Sequence, residues 1–325
     1  MKIGGNQQIN TSTPQTIGAV KTNQAEEIRI GDYLVQNSET NPNTVYGKNA
    51  EVTLNESQKA SIMPGFTQQE IQIKTATGVE FRINLHVQKN ADQEGVKKLT
   101  DKLNRVISNL PPKVLEDMKE EVRHITICPN IIVNKEAKAL AMGELNQIFL
   151  SVEKMAELSE KEIDETITHE QGHLADRLEG TFAGKGSKYM KKSFTALKET
   201  TTPELGFEKD SYTLSNASEL FADYYLYKCG NPSEGHRSKE VFDKLENYNN
   251  DVTTLTEEEL QAKYGENTQA VKNVAEKWGA IKKELDFYLG NVQSGEYPRV
   301  NEKAVPHSIE QMLEINEKAK QKAIQ

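Results

Sequence analysis

SEKEIDETITHEQGHLADRLEG, residues 159–180, decides how this chain is read. Ser159 and Glu162 form an S-x-x-E box, the signature of a helix start in which side chains and backbone cap each other. Ile163, Ile167, Leu174 and Leu178 follow as one apolar stripe, so the helix buries a face, and it is expected to end near Gly180. Within it, His169-Glu170-Gln171-Gly172-His173 reads H-E-x-x-H. Residues four apart on a helix share a side, so His169 and His173 can grip one ion, and neutral imidazole suits zinc at about 2.0–2.1 Å. Glu170 stands one step round the helix, beside the ion instead of on it. There it can take a proton from a water that the metal acidifies and pass it to a leaving amine. By chance alone the pentapeptide arises in roughly one or two such chains per hundred. Its setting therefore carries weight: mid-helix, beside a buried stripe, behind a strand. The expected cofactor is one zinc ion per chain.

Zinc needs a third protein ligand. One place is just downstream, where a helix that bends at glycine returns a ligand. Here Asp176 occupies the glycine position and Glu179 the ligand position, and without the glycine the helix continues and carries Glu179 away. The better place is a helix starting at Asn216, NASELFADYY (216–225). Glu219 and Asp223 share a face, so Glu219 can ligate and Asp223 can accept the second N–H of a ligating histidine. On the residues alone, a solvated acidic face fits that helix as well.

Working outward, EIQIKT (70–75) and VEFRINLHV (79–87) alternate around a turn at Ala76-Thr77-Gly78 and predict a hairpin. Residues 92–122 predict a helix broken at Pro111-Pro112, with Val96, Leu99, Leu103 and Val106 inward. HITIC (124–128) and NQIFLSV (146–152) predict strands. Residues 1–65, rich in Asn, Gln, Thr and Ser, read as a flexible or loosely packed polar leader with one strand at 27–35. Residues 66–250 read as the main domain and 251–325 as a charged helical extension, its last helix capped by Ser308 and Gln311. The fold class expected is α+β: a small mixed sheet, the H-E-x-x-H helix, and a helical carboxyl-terminal part.

A net charge of −9 argues against a nucleic-acid partner, which needs a basic face. No apolar run is long enough to span a bilayer. MKIGGNQQIN lacks the apolar stretch of a secretory signal, so export is expected to use another route, with a cytoplasmic location as the alternative. Cys128 and Cys229 match no metal spacing and read as buried, inert thiols. His86, His124, His236 and His307 have no partner at ligand spacing and read as structural or exposed residues.

Taken together, the motifs resemble the anthrax lethal factor-like zinc peptidases, a gluzincin group that includes bacterial Pro-Pro endopeptidases. His169-Glu170-Gln171-Gly172-His173-Leu174-Ala175-Asp176 matches their H-E-x-G-H-x-x-D. Asn216, Glu219, Phe221, Ala222 and Asp223 match N-x-x-E-x-F-A-[E/D], and Tyr212 stands seven residues before Glu219. The likeness covers residues from about 66 to 250 and is strongest in the two motif helices. It implies a zincin-like fold and hydrolysis of a protein or peptide bound in extended form along an edge strand, for which NQIFLSV is the expected strand. It also implies Glu219 as the third ligand, Tyr212 as hydrogen-bond donor to the oxyanion, and Asp176 as a buttress for the helix or a histidine. Tyr224 and Tyr225 read as packing residues. Two alternatives stand beside this expectation: a non-catalytic binding protein on a metalloprotease scaffold, and a host-directed proteolytic toxin.

Overall fold

Alternating strands and amphipathic helices meet on one sheet in the computed structural model, which describes residues 27–30, 33–38, 41–56, 62–176, 188–294 and 305–324. The strands are β1 (Glu27–Ile30), β2 (Tyr33–Ser38), β3 (Asn41–Tyr46), β4 (Ala50–Glu56), β5 (Phe66–Thr75), β6 (Glu80–Gln88), β7 (His124–Cys128), β8 (Ala139–Met142) and β9 (Gln147–Ser151). Their spatial order is β1-β2-β3-β4-β5-β6-β7-β9-β8. The first six form an antiparallel meander, β6, β7 and β9 run parallel, and β8 returns antiparallel to β9. Parallel pairing needs a long crossover. Between β6 and β7 it is supplied by α1 (Gln93–Asn109) and α2 (Pro112–Glu121), with the break at the proline pair.

One face of this mixed sheet carries the main core. Ile71, Ile73, Ile83, Leu85, Ile125, Ile127, Ile148 and Leu150 are buried there against Leu99 and Leu103 of α1. The short α3 (Val152–Met155) leads from β9 into α4 (Glu160–Asp176), whose Ile163, Ile167 and Leu174 join the same core. The capping box at its start is made in full: Ser159 N and Oγ donate to Glu162 Oε2 at 2.9 Å, and Glu162 N donates to Ser159 Oγ at 3.2 Å. Leu178, Glu179 and Gly180, where a bend or helix end was expected, lie outside the described residues.

Helices α5 (Lys188–Thr200), α6 (Ala217–Cys229), α7 (Arg237–Thr254), α8 (Glu257–Tyr264) and α9 (Thr268–Ser294) complete the layer beyond α4. Tyr224 of α6 packs edge-on to Phe242 of α7 and Trp278 of α9, with ring centroids 5.2 and 5.9 Å away, while Tyr225 O–H donates to Asp117 of α2 at 2.6 Å. Both tyrosines are packing residues.

Three expectations change here. A loose leader up to residue 65 does not describe β4, which pairs with β5 over seven residues and buries Ala50 and Val52. The β3–β4 turn is also tied to the end of α1, where Asn49 Nδ2 donates to Leu110 O at 2.9 Å. A separate extension from 251 does not describe α9, whose Val271, Val274, Trp278, Ile281 and Leu285 are all fully buried in the common core. Finally, NQIFLSV is not an edge strand, because β9 is flanked by β7 and by β8. Sequence reading missed β8, an alanine-containing run of four residues with no β-branched side chain, which owes its form to pairing with β9.

The opposite face of the sheet is covered by α10 (Ile309–Ile324), with Ile309 and Met312 packed on Cys128, Ile131 and Phe149. Gln147 of β9 holds the entry to this helix. Its Nε2 donates to His307 O at 3.0 Å and its Oε1 accepts from His307 N at 3.1 Å.

On that face His86 and His124 share a hydrogen bond of 3.2 Å, and both are buried. Burial pushes each imidazole down to about 4 from 6.5, helped at His124 by the charges of His86 and Arg123. Between those values the unfolded chain binds more protons than the folded one. The contribution to stability is therefore complete above about pH 6.5 and is lost as pH falls towards 4. About 3 kcal/mol per histidine is expected from a shift of this size. Urea unfolding at pH 7 and pH 4.5 measures the loss, and His86→Gln should flatten it; an unchanged pH slope in that variant would refute the assignment.

Candidate metal centre

Helix α4 sets His169 and His173 one turn apart, with ring centroids 4.7 Å apart and planes at 90°. Helix α6 brings the third group. Its first turn is fixed by Asn216, whose Oδ1 accepts from Ser218 N at 2.9 Å and from Glu219 N at 3.0 Å. The two helices approach closely at Gly172, where an added Cβ would lie 2.8 Å from Ala222 Cα. Only that proximity lets Glu219 reach the imidazoles.

Glu219 Oε2 lies 3.2 Å from His169 Nε2 and 3.4 Å from His173 Nε2. One ligand atom from each of the three residues falls within 4.8 Å of the others, so the group can hold a metal ion. Two ligand atoms of a tetrahedral ion at about 2.0–2.1 Å stand roughly 3.3 Å apart, which matches both contacts to Glu219. Glu219 Oε2 is also buried without a properly directed hydrogen bond from either ring, the state of an acceptor that wants a cation.

The far nitrogens of both rings are spoken for. Asp223, fully buried, presents Oδ1 to His169 Nδ1 at 2.7 Å. A carboxylate only accepts, so the proton sits on Nδ1 and the Nε2 lone pair faces Glu219. His173 Nδ1 lies 3.1 Å from Ser218 Oγ, which in turn reaches Asp176 Oδ2 at 3.5 Å. Asp176 thus supports His173 through a serine. Asp223 Oδ2 accepts from Thr213 Oγ1 at 2.7 Å and from Arg237 Nε at 3.3 Å.

Burial opposes a charged His169, but hydrogen bonds to Asp223 and Glu219 outweigh it and raise the imidazole to about 10. Burial likewise opposes a charged Glu219, yet the bonds to His169 and His173 hold its carboxyl well below the usual range. A proton is therefore shared where a divalent cation would sit, and the cation would displace it.

Glu170 is 7% exposed, and burial raises its carboxyl above the ordinary value against the pull of both imidazoles. It accepts from the backbone of Ala141 on β8. Tyr212 opens a short 3-10 turn, Tyr212–Leu214, and is 49% exposed with its ring 6.1 Å from that of His169. Burial and the neighbouring Glu219 carboxylate keep its phenol protonated. His169, Glu170 and Tyr212 all line a cleft of about 510 Å³ between loop residues 134–139 and 233–237.

The residues singled out in sequence thus fall as follows. His169, His173 and Glu219 converge, Glu170 borders the cleft, Asp223 holds His169, Asp176 lies behind Ser218, and Tyr212 stands at the lip. Sequence reading missed Ser218, Thr213, Arg237 and Ala141. Ser218 has a usable signal, since it precedes the ligating glutamate in the capped first turn. Arg237 has none, being 14 residues beyond Asp223 across a loop. The other histidines stay outside the centre; His236 caps α7 by accepting from Ser238 N at 3.3 Å. No family model, curated protein or solved structure matches the chain.

Proposed function

We propose that the chain is a zinc-dependent endopeptidase of zincin-like fold, similar to the lethal factor-like peptidases in the order and spacing of its motifs. The observation that carries this reading is the arrangement of Glu170. It is a buried carboxylate of raised pKa, beside a three-ligand cluster, at the wall of a cleft that borders an open sheet edge. Two imidazoles and one carboxylate form the ligand set typical of catalytic zinc, which keeps a fourth position for water or substrate.

When bound, zinc would supply Lewis acidity to the attacking water and to the scissile carbonyl. The remaining work falls to the protein. Lys138 O accepts from Ser151 N at 2.9 Å, so on β8 the groups of Lys138, Leu140 and Met142 face β9. Those of Ala139 and Ala141 face outward, in keeping with the Ala141 N–H turned to Glu170. An extended peptide pairs with this outer row by strand addition. Glu170 removes the proton from water as it attacks and delivers it to the departing amine. Tyr212, half-exposed and protonated, donates its O–H to the developing oxyanion.

The test is direct. Purified chain should carry one zinc by elemental analysis and cleave internal bonds in a diverse peptide library. Glu219→Ala should weaken zinc binding by at least roughly 100-fold and abolish cleavage, since two histidines alone hold zinc poorly. Equal zinc affinity in the variant and the parent would end this reading. Tight zinc with no hydrolysis of any library member would favour a binding protein on the same scaffold.

A further inference from the structure

We propose that Arg237 is a positioning residue that aims Tyr212 at the reacting carbonyl, an inference that rests on the peptidase reading above for its catalytic consequence. Tyr212 needs such help. It sits half-exposed on a three-residue turn, where a tyrosine ring would otherwise exchange between rotamers. Arg237, the first residue of α7, places its guanidinium carbon 4.5 Å from the centroid of that ring. The ring is thereby held between a cation on one side and His169, 6.1 Å away.

Arg237 is itself anchored. Its Nε points to Asp223 Oδ2 at 3.3 Å and its Nη2 to Asp223 Oδ1 at 3.4 Å, a fork on a carboxylate that has no exposed surface. The same carboxylate fixes His169 Nδ1 and the hydroxyl of Thr213, the residue next to Tyr212. His169, Asp223, Arg237 and Tyr212 therefore close a ring of contacts that sets the phenol relative to the metal ligands. A lysine cannot do both tasks, because one ammonium lacks the planar fork that binds a carboxylate while stacking on an aromatic face.

A double-mutant cycle with Tyr212→Phe tests this. In the parent, Arg237→Ala is expected to lower kcat by roughly 10- to 100-fold with KM within about twofold, because the lost interaction is made in the transition state. In the Tyr212→Phe background the same change should cost less than about threefold, since the group it aims is gone. Arg237→Lys should fall between. Zinc content is measured for each variant, and an unchanged value shows that the Asp223–His169 pair survives. Equal losses in both backgrounds would overturn the proposal, as would a rise in KM at constant kcat, which would make Arg237 a substrate-binding group.

A second readout needs no substrate. With 3-fluorotyrosine at position 212 of the zinc-loaded full chain, Arg237→Ala should move the fluorine resonance towards that of the free amino acid. An unmoved resonance overturns the positioning role. A moved resonance in a protein that cleaves no peptide overturns the peptidase reading while the positioning stands.

Discussion

Glu170→Gln is expected to lower peptide cleavage by about three orders of magnitude while the protein keeps its fold and its metal. General-base groups contribute roughly 10²- to 10⁴-fold, and nothing else beside the cluster can take the proton at neutral pH: Tyr212 is a protonated phenol and Asp223 is committed to His169, Thr213 and Arg237. Glutamine matches glutamate in shape and can still accept from the Ala141 backbone. The three ligating groups belong to other residues, so zinc should remain at one per chain. Burial also costs the charged form of Glu170, so removing the charge should leave stability level or slightly higher. Single-turnover cleavage of a library-derived peptide, with zinc analysis on the same sample, measures both halves. Activity within tenfold of the parent would show that another base serves the reaction.

Replacing Gly172 should be the most damaging change that touches no ligand. A Cβ there would lie 2.8 Å from Ala222 Cα, 2.9 Å from Ala222 O and 3.0 Å from Tyr225 Cβ. Two of those three atoms belong to the facing main chain and cannot rotate away, so α4 and α6 must part. Gly→Ala inside a helix ordinarily gains about 1 kcal/mol in propensity, whereas overpacking of this kind costs about 1–3 kcal/mol. The two nearly cancel for alanine and do not for valine, which adds bulk and lower propensity. Gly172→Val is thus expected to lose about 3 kcal/mol or more in urea unfolding of the metal-free protein. Its larger consequence is at the centre. His169 and His173 ride on one helix and Glu219 on the other, so separation opens the 3.2 and 3.4 Å contacts together. Zinc affinity should fall by more than roughly 100-fold, as competition against a chromogenic chelator would report. Unchanged zinc affinity in Gly172→Val would mean the helices can move without disturbing the ligands.

Much of this architecture can be read from side-chain order because local signals agree with the tertiary ones. The S-x-x-E box, the stripe of Ile163, Ile167 and Leu174, and the Asn216 cap each specify a helix and also orient its polar face. What escaped reading is non-local. On β8, alanines at positions 139 and 141 carry no strand preference, and only pairing with β9 makes them one. On α9, Val271, Val274, Trp278, Ile281 and Leu285 do follow helical spacing, but a crowd of lysines and glutamates on the other face conceals a buried stripe. In β3 and β4, Asn and Thr dominate, and the few inward groups such as Thr44, Ala50 and Val52 are too sparse to mark strands by alternation. Arg237 belongs to the centre through a single buried carboxylate, a relation that spacing along the chain does not encode.

The position of β8 has a cost for the protein in solution. Among the described residues its outer side pairs with no strand, and a border that welcomes a foreign backbone will also welcome that of a sibling molecule. Proteins usually blunt such borders by keeping them short and flanking them with charge. Here the run has four residues, and the loop leading to it carries Lys135, Glu136 and Lys138. Brevity of this sort leaves room for only a few main-chain bonds at a time, so a guest must be recognised largely by what its side chains meet in the cleft, and copies of the chain gain little by clasping one another.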